Sequence, residues 1–197
     1  MRLILASNNQ GKLKELKEIA SASDWLELEL APEDFDPAET GSTYMENAII
    51  KATEAGRMTG ELATADDSGL EVEALGGRPG VHSARYVEGS DRDRRLALLR
   101  ELEGVPEGKR EARFVCAMAL YCPRQDRVLY EAEGIFPGRI GFSEQGSGGF
   151  GYDPIFYLRD CDVTAAQISS QEKNLKSHRG QAWRKVIGFL EKNFIPG

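Results

Sequence analysis

Cysteine is scarce in this chain: Cys116, Cys122 and Cys161 are the only three. The number is odd and no Cys-x-x-Cys pair exists, which argues against a disulfide framework and against a cysteine-bound zinc. Cys116 sits in an apolar run and reads as a core residue. Long apolar runs are missing as well. No stretch approaches the roughly 18 apolar residues that a membrane span requires. The opening Met1-Arg2-Leu3-Ile4-Leu5-Ala6 is far too short for a signal peptide and leads directly into structure. A reducing cytoplasm is the expected location, and no membrane partner is expected. Positive charge is in deficit: 25 Lys and Arg against 32 Asp and Glu give a formal charge of -7. Without a broad basic surface to release counterions, a nucleic acid is not expected as the partner. A small phosphorylated ligand needs only a few cations placed locally and stays open. There are two histidines, and His82, in a loop, reads as structural or solvated. Internal repeats, low-complexity segments and long linkers are absent.

What is present is an ordinary globular composition. Hydrophobic residues at 41% and charged residues at 29% of 197 residues fit one domain, or two close lobes around one core. The chain is organised around Ala65-Asp66-Asp67-Ser68-Gly69-Leu70. Residues 61–65 before it read as a short strand, and residues 70–75 after it alternate apolar and acidic as a half-solvated strand does. Two adjacent carboxylates thus stand where one strand ends and another begins. A turn explains the composition. So does a divalent cation, whose charge favours ionised acids side by side; magnesium, with its oxygen ligands, retained waters and taste for substrate phosphates, is the natural candidate.

Leu3 to Ala6 predicts a strand, followed by Ser7-Asn8-Asn9-Gln10-Gly11-Lys12 and a helix with Leu13, Leu16, Ile19 and Ala20 on one face. A strand, polar turn and helix place free N–H groups where an anion can bind. It is not a Walker loop, because Ala6 and Leu13 stand where that pattern needs Gly and Ser or Thr. Ser7 and Asn8 also fit as helix caps. Lys12 is the oddity, since a cation in a first turn opposes the helix dipole unless an anion is near. Residues 31–42 form an acidic, Pro-punctuated loop. Thr43 and Glu46 have capping-box spacing before a helix with Met45, Ala48, Ile49, Ala52 and Ala55 on one face. Residues 76–86 make a glycine-rich shaped loop, and residues 91–102 a helix. Residues 112–122 are apolar on both faces, predicting a central strand covered on both sides, with residues 128–133 as its antiparallel neighbour. Gly146 to Pro154 surrounds Phe150 with glycines. That pattern fits a flexible connection, or a loop whose bare backbone lets a ligand approach while Phe150 stacks on a planar base. In the tail a helix starts near Ser177, with Ala182, Trp183, Val186, Ile187, Leu190 and Phe194 on one face. That puts Lys173, His178 and Arg179 at a helix N-terminus, either as a solvated basic patch or as an anion site.

Taken together, these motifs resemble the inosine triphosphate pyrophosphatase family, the Ham1-like proteins. The matching stretches are Ser7–Lys12, Glu39-Thr40-Gly41 with Glu46-Asn47-Ala48, Ala65–Leu70, Leu75–Gly80 with Ser83–Tyr86, Gly148–Pro154 and Ser177–Gly180. They run the length of the chain as one domain, and together they are specific although each alone is weak. The resemblance implies an α/β fold: a mixed, strongly twisted sheet flanked by helices, in two lobes with the site in the cleft between them. It implies a homodimer, and hydrolysis of ITP, dITP or XTP to the monophosphate and pyrophosphate. It assigns Asp67 to metal ligation and catalysis, Glu39 as second Mg2+ ligand, and Asp66 to support. Ser7, Asn8, Asn9, Gln10, Gly11 and Lys12 would hold phosphates with Lys173 beside them. Ser68, Phe150, Gly151, Tyr152 and Asp153 would bind substrate, with Phe150 on the purine, and His178 and Arg179 would face the base edge. Two rivals are a Maf-like pyrophosphatase for other nucleotides and a nucleotide-binding regulator without turnover. The paired acids speak against the latter, because binding alone needs fewer of them.

Overall fold

In the computed structural model, which describes residues 1–159 and 161–195, the chain forms two compact units. The first comprises Met1–Asp67, Cys116–Gly134 and the C-terminal stretch from His178; the second comprises Ser68–Val115 and Ile135–Ser177. Strands β1 (Arg2–Leu5), β2 (Glu27–Leu30), β3 (Ala63–Val72), β4 (Pro79–Gly80), β5 (Glu111–Cys122), β6 (Arg127–Ile140) and β7 (Phe156–Leu158) belong to one mixed sheet. Its order is β2-β1-β3-β5-β6-β7, with β4 paired to β3. The pairs β1·β2 and β1·β3 are parallel, whereas β3·β4 and β6·β7 are antiparallel. The turn between β5 and β6 spans only residues 123–126, a length that joins antiparallel neighbours. The helices are α1 (Gln10–Ile19), α2 (Tyr44–Thr59), α3 (Asp91–Glu101), α4 (Ser170–Lys176) and α5 (His178–Phe194).

The first unit is layered by strand alternation. Leu3 and Leu5 of β1 and Cys116, Met118 and Leu120 of β5 pack with Leu16 of α1 and Trp183, Val186 and Leu190 of α5. Ile4, Ala119 and Tyr121, one residue out of phase, pack with Ala48, Ala52 and Ala55 of α2. Each large aliphatic side chain so buried contributes about 1.5–3 kcal/mol relative to exposure. The small-residue stripe of α2 is required by its close approach to the sheet: a Cβ on Gly56 would lie 2.5 Å from the Tyr121 ring. The expected capping box is present, with Thr43 accepting from the Glu46 N–H and Glu46 reaching back to the Thr43 N–H.

In the second unit, Leu70, Val72, Leu98, Leu102, Phe114, Phe136 and Ile155 surround Phe156. Its ring centroid lies 4.5 Å from that of Phe114 and 5.5 Å from that of Phe136. The end of α3 is closed by buried Arg110, which donates to the carbonyls of Leu102, Ile140 and Gly141 at 2.8–2.9 Å.

Two sequence expectations change. Asp66 and Asp67 do not sit between two strands: β3 runs unbroken for 10 residues through Asp-Asp-Ser-Gly. Pairing to β1 at its start and to β4 at its end overrides the local turn preference. The tail contains two helices rather than one. Lys173 lies in α4 and Arg179 in the first turn of α5, so they do not share a helix N-terminus.

Candidate functional site

The first unit gathers the acids. In a strand, neighbouring side chains face opposite ways, and the partners of Asp66 and Asp67 differ accordingly. Asp66 accepts from Lys12 Nζ on Oδ1 at 2.9 Å and from Arg179 Nε on Oδ2 at 3.1 Å. Asp67 accepts from Asn47 Nδ2 at 3.1 Å and lies 3.5 Å from Lys51 Nζ. Lys51 also donates to Glu39 at 2.8 Å. Glu39 and Asp67 therefore converge on one point, filled here by an ammonium group.

The electrostatics separate the two aspartates. Burial would raise the Asp66 carboxyl, but Lys12, Arg179 and Lys51 outweigh it and hold it far below the usual range. For Asp67 burial prevails: its carboxyl is pushed up, with Lys51 and Asn47 opposing, and Glu39 and Asp66 adding to the rise. One carboxylate thus stays a fixed anion while its neighbour gains basicity, the separation that acid–base chemistry uses. Burial of Lys51 opposes its charge, yet Asp67, Asp66 and Glu39 overcome this and raise it.

The loop before α1 is open. Asn8, Asn9, Gln10 and Gly11 are exposed. The helix cap is Asn9, whose side chain accepts from the Lys12 N–H at 3.1 Å. Ser7 Oγ accepts from the Asn9 N–H at 3.1 Å, and Asn8 ties the loop to the Phe35 carbonyl at 2.8 Å. Lys12 is reconciled with the helix dipole by Asp66. Arg179, expected at the base edge, is buried, with Nη1 on Glu15 at 2.8 Å and Nε on Asp66. His178 beside it is buried too.

The second unit carries the glycine-framed aromatic. Phe150 is 54% exposed, yet its loop is fixed at several points, which removes the flexible-connection reading. Asp153, itself buried, accepts on Oδ2 from the Phe150 N–H at 2.8 Å and from Lys173 Nζ. Gly151 donates to Asp91 at 2.9 Å and accepts from Arg95 at 2.8 Å, so α3 holds the loop from outside. Gly149 has φ +70°, and a Cβ there would lie 2.1 Å from the Asp153 carboxylate, so glycine is required. Lys173 Nζ stands 4.8 Å from the Phe150 ring centroid, at cation–π distance. Tyr152 points inward and donates to the Ser83 carbonyl at 2.9 Å. Ser68, next along β3 from Asp67, is half-buried.

Sequence reasoning gave no role to Lys51, Asn47 and Glu15, although Asn47 lies in one of the matching stretches. The signal for the first two was legible: both fall on the buried stripe of α2 among Ala48, Ala52 and Ala55. A lysine at such a position implies a buried acid opposite it.

Among the described residues no three His, Cys, Asp or Glu side chains come together as a metal cage. Magnesium does not require one, because it is held by one or two carboxylates plus waters and substrate phosphates. Glu39 and Asp67, already gathered around a cation, fit that donor set.

A mixed sheet with these helices and this pair of differentiated aspartates inside β3 defines an α/β protein with a buried charged cluster. The chain belongs to the Ham1 family, whose model matches residues 3–189. It is 49% identical over 185 residues to a dITP/XTP pyrophosphatase of Gloeobacter violaceus, covering 94% of this chain and 92% of that protein. It is 48% identical over 187 residues to the dITP/XTP pyrophosphatase of Methylococcus capsulatus, covering 92% of each. The fold matches the Ham1 protein of Staphylococcus aureus with a TM-score of 0.86 at 40% identity, over 98% of this chain and 99% of that one. The nucleoside-triphosphatase / dITP/XTP pyrophosphatase of Mycobacterium abscessus matches with a TM-score of 0.76 at 40% identity, over 96% of this chain and all of that one.

Proposed function

We propose that this chain hydrolyses ITP, dITP and XTP to the monophosphate and pyrophosphate, removing deaminated purines from the nucleotide pool. The observation that carries the reading is the pairing of near-full-length identity to dITP/XTP pyrophosphatases with the divided roles of Asp66 and Asp67. Glu39 and Asp67 would hold Mg2+, which when bound supplies positive charge against the phosphates. Asp67 would also accept the proton of the water that attacks the α-phosphorus, and pyrophosphate leaves. Lys12 and the N–H groups of Asn8, Gln10 and Gly11 receive phosphate oxygens at the start of α1. Phe150 offers a π-face to the purine, with Asp153 and Lys173 fixing its loop. The arrangement asks for positioning and charge neutralisation rather than covalent chemistry.

The same reading makes the protein a cytoplasmic homodimer acting on free nucleotides. The charge of -7 favours a free nucleotide over a nucleic-acid polyanion as the partner, and no helix among the described residues is long and apolar enough to cross a membrane. The test is turnover of ITP, dITP and XTP against ATP, GTP, UTP and dTTP, with and without Mg2+. A clear preference for the three deaminated purines is expected. Preference for UTP or dTTP would transfer the chain to the Maf-like reading, and absence of turnover on all seven would leave only the binding reading.

A further inference from the structure

Asp66 has no part in the chemistry above, yet it is the most heavily committed carboxylate of the first unit. Its side chain is 1% exposed, and each oxygen faces a cation: Lys12 Nζ at 2.9 Å on Oδ1 and Arg179 Nε at 3.1 Å on Oδ2. Arg179 continues the chain to Glu15 at 2.8 Å. Three elements therefore meet at one carboxylate: α1 through Lys12 and Glu15, β3 through Asp66 itself, and α5 through Arg179. Lys12 and Arg179 both sit in the first turn of a helix, where the dipole opposes a cation. Asp66 supplies the fixed anion that holds both.

We infer that Asp66 is a positioning residue and not a metal ligand. By holding Lys12 it fixes the ammonium beside the open turn of residues 8–11, in the place where phosphate oxygens arrive. The inference rests on the phosphate-binding role proposed for Lys12. An ammonium has three donors; Asp66 takes one, and the Lys12 side chain remains 22% exposed. A lysine free in solvent must lose its rotamer freedom when a phosphate binds, whereas one already held has lost it on folding. The alternation of β3 turns Asp66 away from the point shared by Glu39 and Asp67, so it is badly placed to join them.

The test is a double-mutant cycle read by calorimetry with inorganic tripolyphosphate in the presence of Mg2+, a probe that needs neither a base nor hydrolysis. Lys12→Met should weaken binding about 10- to 100-fold, the range of one charge-assisted contact. Asp66→Asn should weaken it about tenfold. The double variant should bind within about twofold of Lys12→Met alone, because Asp66 acts through that lysine. It also removes one charge of each sign, so it keeps the buried balance and serves as the comparison if Asp66→Asn alone does not fold. Titration of Mg2+ into Asp66→Asn without nucleotide, or into the double variant in that case, should give an affinity within about threefold of wild type. Effects that multiply in the double variant overturn the inference, and so does a more than tenfold loss of Mg2+ affinity. Failure of the wild type to bind tripolyphosphate overturns it as well. If the wild type binds tripolyphosphate but does not hydrolyse ITP, the proposed function fails while the positioning role stands. If it hydrolyses ITP and the effects multiply, the positioning role fails alone.

Discussion

Asp66 and Asp67 are neighbours in β3 but take their hydrogen bonds from different helices: Asp66 from Lys12 of α1 and Arg179 of α5, Asp67 from Asn47 of α2. This explains how two adjacent acids coexist. Asp66 touches Lys12 and Arg179 while Asp67 lies beside Lys51, whose charge also reaches Asp66. In the function proposed above this division of partners also separates their tasks, one structural and electrostatic, the other chemical.

The first prediction follows for Asp67. Asp67→Asn keeps the volume and a partner for Asn47 but removes the proton acceptor. Turnover of ITP should fall by about 10²–10⁴, the usual cost of losing a general base. Circular dichroism should show the fold retained. A variant that keeps more than roughly a tenth of wild-type activity, a loss under about 1.4 kcal/mol, would remove Asp67 from the chemistry.

Lys51 stands between Glu39 and Asp67, with its side chain 9% exposed. Lys51→Met leaves these carboxylates without their shared cation. In chelator the variant should lose about 1–3 kcal/mol, roughly 2–12 °C in Tm for a chain of this size. Mg2+ should restore more of the Tm in the variant than it adds to the wild type, where the ion has to displace an ammonium. Equal Mg2+ increments in thermal denaturation would show that the lysine and the metal do not serve the same pair.

Arg179→Ala tests whether that guanidinium is committed to the interior. With Asp66 and Glu15 both left buried beside no arginine, stability should drop by about 3–5 kcal/mol. Chemical denaturation measures it. A loss below about 1 kcal/mol, with a large and selective loss of ITP over ATP turnover, would return Arg179 to the base edge.

How much of this was legible beforehand depends on how local the cause is. Helices α1, α2 and α5 announced themselves through side-chain period, as with Leu13, Leu16 and Ile19, and through the Thr43–Glu46 capping box, whereas the 7-residue α4 did not. The central strand was visible because residues 112–122 are apolar on both faces. The continuity of β3 was not visible, since Asp, Ser and Gly favour turns and only the pairing with β1 and β4 overrides them. The length of β6 was hidden for a similar reason. Gly134, Pro137 and Gly138 look like breakers, but a Cβ on Gly134 would lie 2.0 Å from the His178 carbonyl and one on Gly138 would lie 2.3 Å from the Tyr157 carbonyl. Those glycines admit neighbours that no local pattern reveals. The site was legible as motifs, not as partnerships. Asp66 with Lys12 spans 54 positions and Arg179 with Glu15 spans 164, so the sequence reading could not give Arg179 its carboxylates.

Phe150→Ala should weaken nucleotide binding by about 1–3 kcal/mol and similarly for ITP and XTP, because every purine has a π-face. Being half-exposed, the change should move stability by less than about 0.5 kcal/mol. Equilibrium binding in the presence of Ca2+ or at zero turnover checks it, and a loss confined to one base would count against stacking.

The central claim is that water attacks the α-phosphorus of a deaminated purine triphosphate. It is tested most directly by turning over ITP in ¹⁸O-labelled water and weighing the products by mass spectrometry. The account predicts IMP carrying one ¹⁸O and pyrophosphate carrying none. Label in pyrophosphate, or the appearance of IDP with labelled orthophosphate, would contradict it.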